Sequence, residues 1–134
     1  NISRYGAKVI ALQEFQENYK FMCLLNLLSY QKNVFTINQS LLDYNPKKVF
    51  DCTLSFGMFA DDQNKNLEIL KKINYITKNI LIWETSAYIQ DEIKFIRENS
   101  QFKYYKSLRK TFKNKQICEL GIFSKNGCFE IKKY

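Results

Sequence analysis

The stretch from Val49 to Ser86 decides the fold. It begins with VFDCTLSFG (residues 49–57) and ends with ILIWETS (residues 80–86). Both runs are rich in apolar and β-branched residues, and each has the length of a strand rather than of a helix. Asp61 and Asp62 open the segment that lies between them.

The middle of this stretch has the pattern of an amphipathic helix. Lys71 and Lys72 are expected to face solvent, and apolar residues recur at helical spacing at Leu67, Ile69, Leu70, Ile73 and Ile76. A strand, a helix and a strand within about 35 residues predict a βαβ unit with parallel strands and a right-handed crossover. Ligands of open α/β sheets bind beyond the carboxyl ends of such strands. The candidate positions are therefore Ser55, Phe56, Gly57, Glu84, Thr85 and Ser86.

Length and composition favour a single domain that spans residues 1–134. An apolar content of 46% supports a real core, and the length suits one domain rather than two. No apolar run approaches the length of a membrane span. The chain does not begin with Met and its first residues lack a signal-peptide core, so we expect an excerpt of a longer chain.

The cysteine pattern argues against a metal site. The four cysteines are far apart, no C-x-x-C pair is present, and the sequence contains no His, so a zinc site is not expected. Most of these cysteines lie inside apolar runs, where a free thiol behaves as a small hydrophobe. We therefore expect reduced thiols and a cytoplasmic protein.

The charge leaves two interpretations open. The formal net charge is +8, from 21 Lys and Arg against 13 Asp and Glu, which favours a polyanionic partner such as RNA. The alternative is a drift in composition, because Lys is scattered along the chain and Arg occurs only at positions 4, 97 and 109. Arg carries much of base and bidentate phosphate recognition, so its scarcity favours the second interpretation.

The first third of the chain predicts a strand, a helix and a strand. The strand spans Lys8–Phe15 and the second strand Val34–Ile37. The helix spans Glu17–Tyr30, with one buried stripe made of Phe21, Leu24, Leu25 and Leu28. A further amphipathic helix is expected after Ser86, ending near Asn99 or Ser100.

The last third predicts antiparallel strands. Phe102–Phe112 and Gln116–Ser124 are expected to pair at an edge of the sheet. Asn126-Gly127 is a strong two-residue hairpin signal, and it predicts that Gly121–Ser124 pairs with Cys128–Ile131.

Three segments resemble class I S-adenosylmethionine-dependent methyltransferases, especially the FkbM-like group. GAKVIALQEFQEN (residues 6–18) is similar to the second strand and turn of that family, typically G-A-x-V-I-A-x-E-P-x-x-E-N. VFDCTLSFGMF (residues 49–59) is similar to its fourth strand and ILIWET (residues 80–85) to its fifth. The resemblance implies a Rossmann-like methyltransferase α/β sheet, with helices on both faces and a C-terminal antiparallel strand pair, incomplete at the N-terminus.

The resemblance also implies a cofactor, S-adenosylmethionine, and the residues that bind it. Gln13 stands where the family has a carboxylate for the ribose hydroxyls, and Glu14 follows it. The adenine would lie near Gln39, Ser40 and Leu41, and the methionine half near Ser55, Phe56 and Gly57. The alternative for Gln13 and Glu14 is a solvated strand end. The alternative for residues 39–41 is an ordinary loop, and that for residues 55–57 is a simple turn.

Glu84 is the best candidate for a catalytic acid/base or acceptor-orienting group, because it ends an apolar strand at the carboxyl edge of the sheet. A carboxylate at the N-terminus of the next helix and a solvated strand end are the competing interpretations. Trp83 is expected in the core, and Thr85 or Ser86 is expected to cap the next helix.

One departure from the family divides the functional hypotheses. The family's glycine-rich loop and central first strand would precede Gly6, and only Asn1–Tyr5 stands there. The first hypothesis is a methyltransferase acting on an oxygen or nitrogen of a small molecule, a sugar or RNA. The second is a non-catalytic methyltransferase-like module that binds RNA or a protein. The sequence gives no indication of oligomeric state.

Overall fold

The structure, a computed structural model, describes residues 7–29, 32–85, 91–113 and 116–129. The chain divides into two units, Asn1–Asn45 and Pro46–Tyr134. The elements in chain order are β1 (Val9–Leu12), α1 (Gln16–Leu28), β2 (Val34–Ile37), β3 (Phe50–Phe56), α2 (Gln63–Ile76), β4 (Thr77–Glu84), α3 (Glu92–Asn99), β5 (Tyr104–Lys113) and β6 (Gln116–Ser124). None of the helices in these ranges is long and apolar enough to cross a membrane.

The first unit is a βαβ unit. β1 and β2 are parallel, in a register that runs from Val9 opposite Val34 to Leu12 opposite Ile37. α1 lies between them in sequence and is tied to β2 by a hydrogen bond of 2.7 Å from Asn26 Nδ2 to Thr36 Oγ1. The two predicted strands are therefore confirmed, although β1 is shorter than Lys8–Phe15.

The predicted buried stripe of α1 is wrong. Phe21, Leu24, Leu25 and Leu28 are all exposed, and none of the helix residues is buried. Periodicity shows which side chains share a face of a helix, but it does not show that another element covers that face.

The second unit contains a four-stranded mixed sheet in the order β3-β4-β6-β5. β3 and β4 are parallel, as the βαβ pattern predicted. β6 runs antiparallel to both β4 and β5, so the predicted closing pair is confirmed and β5 lies at the edge.

α2 forms where its apolar spacing and its N-terminal cap agree. Asp62 Oδ1 accepts hydrogen bonds from the backbone N–H groups of Asn64 and Lys65, at 2.9 and 3.2 Å, which satisfies two donors at the start of the helix. Four of the predicted apolar positions are buried: Ile69, Leu70, Ile73 and Ile76. α2 packs against β4 and beside α3.

α3 is held to the sheet by buried aromatic and polar contacts. Trp83 Nε1 donates a hydrogen bond of 2.7 Å to Glu92 Oε2, and both residues are buried. Phe59 lies between Trp83 and Phe95, with ring centroids 4.6 and 5.4 Å away. Trp83 is thus a core residue, as predicted, with its indole N–H satisfied by a carboxylate.

The prediction that Thr85 or Ser86 caps α3 is wrong. The cap is Asp91, whose Oδ1 accepts from Lys94 N at 3.3 Å and whose φ is 68°. The Thr85 hydroxyl instead accepts a hydrogen bond from the backbone of Glu119. Ser86 lies outside the described residues.

The predicted hairpin at Asn126-Gly127 is also wrong. Residues 121–124 of β6 pair with β4 on one edge and with β5 on the other, so no edge is left for residues 128–131. The turn itself is present: Gly127 has φ 81°, and Asn126 Oδ1 accepts from Cys128 N at 2.9 Å. Of the proposed partner strand, only Cys128 and Phe129 are described, and neither is in a strand.

Replacing Asp62 with Ala should lower the free energy of unfolding by about 1 kcal/mol, because two N-terminal donors of α2 lose their acceptor. Urea titration followed by circular dichroism measures the change. Asp61→Ala is the matched control, since it removes a neighbouring exposed carboxylate that does not cap the helix. An equal loss in both variants would show that charge, rather than capping, is responsible.

Candidate functional site

In the second unit, the predicted positions at the ends of β3 and β4 lie together. Ser55 is opposite Trp83, and Phe56 is opposite Glu84. Gly57 N donates a hydrogen bond of 3.3 Å to Glu84 O, so the two strand ends remain joined where β3 stops. Gly57 has φ 59°, and a Cβ placed on it would meet open space.

Ser55 is the unusual residue of this group. It is only 2% exposed, and its Oγ has no hydrogen-bond partner in the described structure. A buried hydroxyl without a partner carries an uncompensated desolvation cost. Phe56, the next residue, is 55% exposed and faces the other side of the sheet. The end of β3 therefore offers one unpaired buried donor and one open apolar surface.

Glu84 is half-buried and ends β4. The next residue, Thr85, is bound to β6 by a reciprocal pair of hydrogen bonds. Thr85 N donates to Glu119 O, and Glu119 N donates to Thr85 Oγ1, both at 2.9 Å. These bonds hold the carboxyl end of β4 against β6, and the Gly57 bond holds it against β3.

A polar cluster that the sequence analysis missed lies on β5 and β6 beside this end. Tyr105 Oη donates a hydrogen bond of 2.6 Å to Glu119 Oε1, and Lys110 Nζ lies 3.7 Å from Glu119 Oε2. A lone acid in the apolar run ICELGIF (residues 117–123) was the available signal. It is informative because an acid inside a strand that is half-buried requires a partner.

The cluster holds a carboxylate in its ionised form. Burial raises the pKa of Glu119, but hydrogen bonds from Tyr105 and Ser107 and the charge of Lys110 outweigh burial, and the net pKa is lowered. Burial and the adjoining carboxylate raise the pKa of Tyr105 well above its ordinary value. Tyr105 therefore remains a hydrogen-bond donor, and Glu119 remains an acceptor, across the neutral range.

In the first unit, the strand ends are joined by Asn38. Its Nδ2 donates to Gln13 O at 2.8 Å and to Glu14 O at 3.2 Å, and Gln13 N donates to Ile37 O at 3.0 Å. The backbone N–H and carbonyl of Gln13 and the carbonyl of Glu14 are thus hydrogen-bonded within the unit. The Gln13 side chain is half-buried and that of Glu14 is exposed.

The loop after β2 is a turn closed by its own polar groups. Ser40 Oγ accepts a hydrogen bond of 3.3 Å from Leu42 N, and Ser40 O accepts from Tyr44 N at 3.1 Å. Gln39 Nε2 donates to Asp43 O at 3.1 Å, so the side-chain amide of Gln39 retains its carbonyl oxygen as an acceptor. Leu41 is half-buried in the same turn.

These elements form an α/β fold like that of Rossmann-like methyltransferases. Two features of this fold are present in the chain. One is the parallel βαβ unit, formed by β1, α1 and β2 and again by β3, α2 and β4, and the other is the closing antiparallel pair in the sheet order β3-β4-β6-β5. No protein-family model matches the sequence, and no curated protein matches it either. The fold is recognised through solved structures.

Three such structures illustrate the likeness. N-methyltransferase NodS from Bradyrhizobium japonicum WM9 matches with a TM-score of 0.66 and 8% identity, over 86% of this chain and 71% of that one. Magnesium protoporphyrin IX methyltransferase ChlM from Synechocystis PCC 6803, with bound SAM, matches with a TM-score of 0.71 and 11% identity, over 93% and 62%. The N-terminal domain of EvdMO1, with SAH bound, matches with a TM-score of 0.73 and 12% identity, over 92% and 67%. This chain spans about two thirds of the length of each of these three structures. At these identities the likeness establishes the fold alone.

Replacing Gly121 with Ala should lower the free energy of unfolding by about 1–3 kcal/mol, because a Cβ there would overlap the Tyr105 ring. The ring cannot move away without breaking its bond to Glu119. Chemical denaturation of Gly121→Ala, alone and combined with Tyr105→Ala, measures the coupling. If Gly121→Ala lowers the free energy of unfolding equally with Tyr105 present and with Tyr105→Ala, the Tyr105 ring is not what the new Cβ overlaps.

Replacing Ser55 with Ala should raise the free energy of unfolding by about 1 kcal/mol, since it removes a buried hydroxyl that has no partner. Ser124→Ala is the matched control. Ser124 is equally buried, but its Oγ bonds Asn79, Asn126 and Cys128, so its loss should destabilise the protein. Thermal unfolding of the two variants compares them, and a destabilised Ser55→Ala would indicate a partner for the hydroxyl.

Proposed function

We propose that this chain is the larger part of an S-adenosylmethionine-dependent methyltransferase. It would transfer a methyl group to an oxygen or nitrogen of a small-molecule, sugar or RNA acceptor. The observation that carries the proposal is the fold: structures that match over 92–93% of this chain were solved with SAM or SAH bound. The FkbM-like phrase at residues 6–18 supports a place in that subgroup.

The residues at the strand ends suit this cofactor. Ser55 has the one buried side-chain hydroxyl without a partner in the described structure, and the donor that it offers matches a carboxylate such as that of the methionine half. Gly57 leaves open space where a side chain would stand. In the first unit, the Gln13 side chain is proposed to accept from a ribose hydroxyl, and Gln39 from the adenine amine.

Methyl transfer depends more on the positioning of the acceptor than on acid/base catalysis. S-adenosylmethionine supplies an activated methyl group on a positively charged sulfur. The residues of this chain then have to hold the acceptor in line and exclude water. Glu84 is proposed to orient the acceptor or remove its proton, and the bonds from Gly57 and Thr85 would hold the strand end that carries it.

Titration of S-adenosylhomocysteine into the 134-residue chain and into the longer parent protein tests the cofactor. We expect saturable binding in the micromolar range, weakened about tenfold by Gln13→Ala, which loses a hydrogen bond to the ribose. Gln101→Ala is the matched control, because Gln101 is an exposed glutamine remote in sequence from the proposed site. Calorimetry measures both, with circular dichroism to confirm folding.

The alternative function is a non-catalytic module, and the amide of Gln13 in place of a carboxylate favours it. An amide oxygen carries no charge, so it binds two ribose hydroxyls less strongly than a carboxylate does. Absence of heat with a folded parent protein up to millimolar ligand would contradict the methyltransferase proposal and leave this alternative.

A further inference from the structure

The edge strand β5 has two different faces. Tyr105 and Lys110 face the same side as Glu119, where they form the cluster described above. The opposite side carries Tyr104, Lys106 and Arg109, which lie opposite Ser124, Ile122 and Leu120 of β6. We call these three side chains the outer row.

A β-bulge creates the outer row. Ser107 pairs with Gly121 and Arg109 pairs with Leu120, so Leu108 is an extra residue with no counterpart on β6. In a regular strand, Lys106 and Arg109 would face opposite sides, because successive side chains alternate. The bulge places them on one side, about 7–10 Å apart along the strand.

The outer row is strongly positive and its charges are available. Between Phe102 and Phe112 the sequence has four cations and no acid. Lys103 and Lys110 are engaged, with the Arg97 carbonyl and with Glu119. Lys106 and Arg109 are exposed, and within the described residues neither has an acid or a carbonyl partner. Two unneutralised cations therefore share one face.

An aromatic ring completes the row. Tyr104 is 51% exposed and its ring lies over Gly127. Because Gly127 has no side chain, it leaves the ring uncovered. Cations beside an exposed aromatic ring on a sheet are the combination that binds single-stranded nucleic acid, with phosphates on the charges and a base on the ring. A duplex offers phosphates but no exposed base face. The Tyr104 hydroxyl can both donate to and accept from a ribose 2′-hydroxyl.

We propose that the outer row of β5 binds single-stranded RNA, with Lys106 and Arg109 on successive phosphates and Tyr104 stacked on a base. Arg109 lies in the same cross-strand row as Phe56 and Glu84, with Leu120 between Glu84 and Arg109. None of the three outer-row residues is itself a proposed cofactor residue, so the surface does not require the cofactor. It would serve an RNA-methylating enzyme and a non-catalytic RNA-binding module equally. Its success or failure is therefore independent of the titration with S-adenosylhomocysteine.

Fluorescence anisotropy of a labelled 12-nucleotide uridine oligomer tests the proposal at several salt concentrations, without cofactor. Lys106→Gln/Arg109→Gln should weaken binding at least tenfold and reduce the salt slope by about 1.4, since each phosphate contact contributes about 0.7. Lys65→Gln/Lys71→Gln, which removes two exposed cations of α2, should change affinity less than threefold.

The aromatic residue is tested separately. Tyr104→Ala should weaken binding about tenfold through lost stacking, whereas Tyr75→Ala, at another exposed tyrosine, should not. Tyr104→Phe keeps the ring but loses the hydroxyl that would contact the ribose. The affinity of this variant for the uridine oligomer should therefore fall to its affinity for a thymidine DNA oligomer of the same length. The proposal is overturned if the folded chain does not bind the uridine oligomer, or if the control variants lose as much affinity as the outer-row variants. It is also overturned if DNA or duplex binds as tightly as the RNA, or if polyglutamate competes as well as RNA does.

Discussion

The second unit depends on the hydrogen bonding of β4 along both of its edges. β3 pairs with it in parallel on one side, and β6 pairs in antiparallel fashion on the other. Ile80, Leu81 and Trp83 are fully buried in it. Because the strand is fixed on both edges and anchored through Trp83 to Glu92 of α3, the elements around it are positioned by reference to β4.

The geometry of the proposed site is set by β4. Glu84 is the last paired residue of β4 and Thr85 lies just beyond it, and hydrogen bonds from Gly57 and Glu119 hold this end of the strand on its two sides. A residue at the end of a strand would ordinarily sample several conformations. Here backbone hydrogen bonds restrict it, which meets the requirement that a transfer reaction dominated by positioning places on a protein.

The sequence predicted the elements of this fold better than their surroundings. The βαβ unit of β3, α2 and β4 followed from spacing and from Asp62, because strand length, helix period and capping are local properties. The cover over α1 and the partner of residues 121–124 could not be predicted, because both depend on which distant segments compete for the same edge or face. The Asn126-Gly127 signal correctly indicated a turn, but β4 and β5 had already taken both edges of β6.

The candidate site divides in the same way. Ser55, Phe56, Gly57 and Glu84 were predicted as a group from their place at two strand ends, and the structure brings them together. The unpaired state of the Ser55 hydroxyl was not predictable, since it depends on what surrounds the side chain in three dimensions. The Tyr105–Glu119 bond was missed because the two residues meet only across a strand pair whose register a bulge has shifted.

The bulge at Leu108 has a consequence for how this surface would persist or disappear during evolution. The assignment of side chains to the two faces of β5 depends on the register that places Arg109 opposite Leu120, and very little on which residue occupies the bulge. Substitutions at Leu108 would leave Arg109 beside Lys106. Deletion of Leu108 would restore regular alternation with Arg109 still opposite Leu120. Loss of the bulge with Leu108 retained would instead pair Leu108 with Leu120 and Arg109 with Glu119, which would turn Lys110 towards the outer side. In related chains, the pairing of the residue at position 109 with the residue at position 120 is therefore a better marker of the surface than the length of this segment.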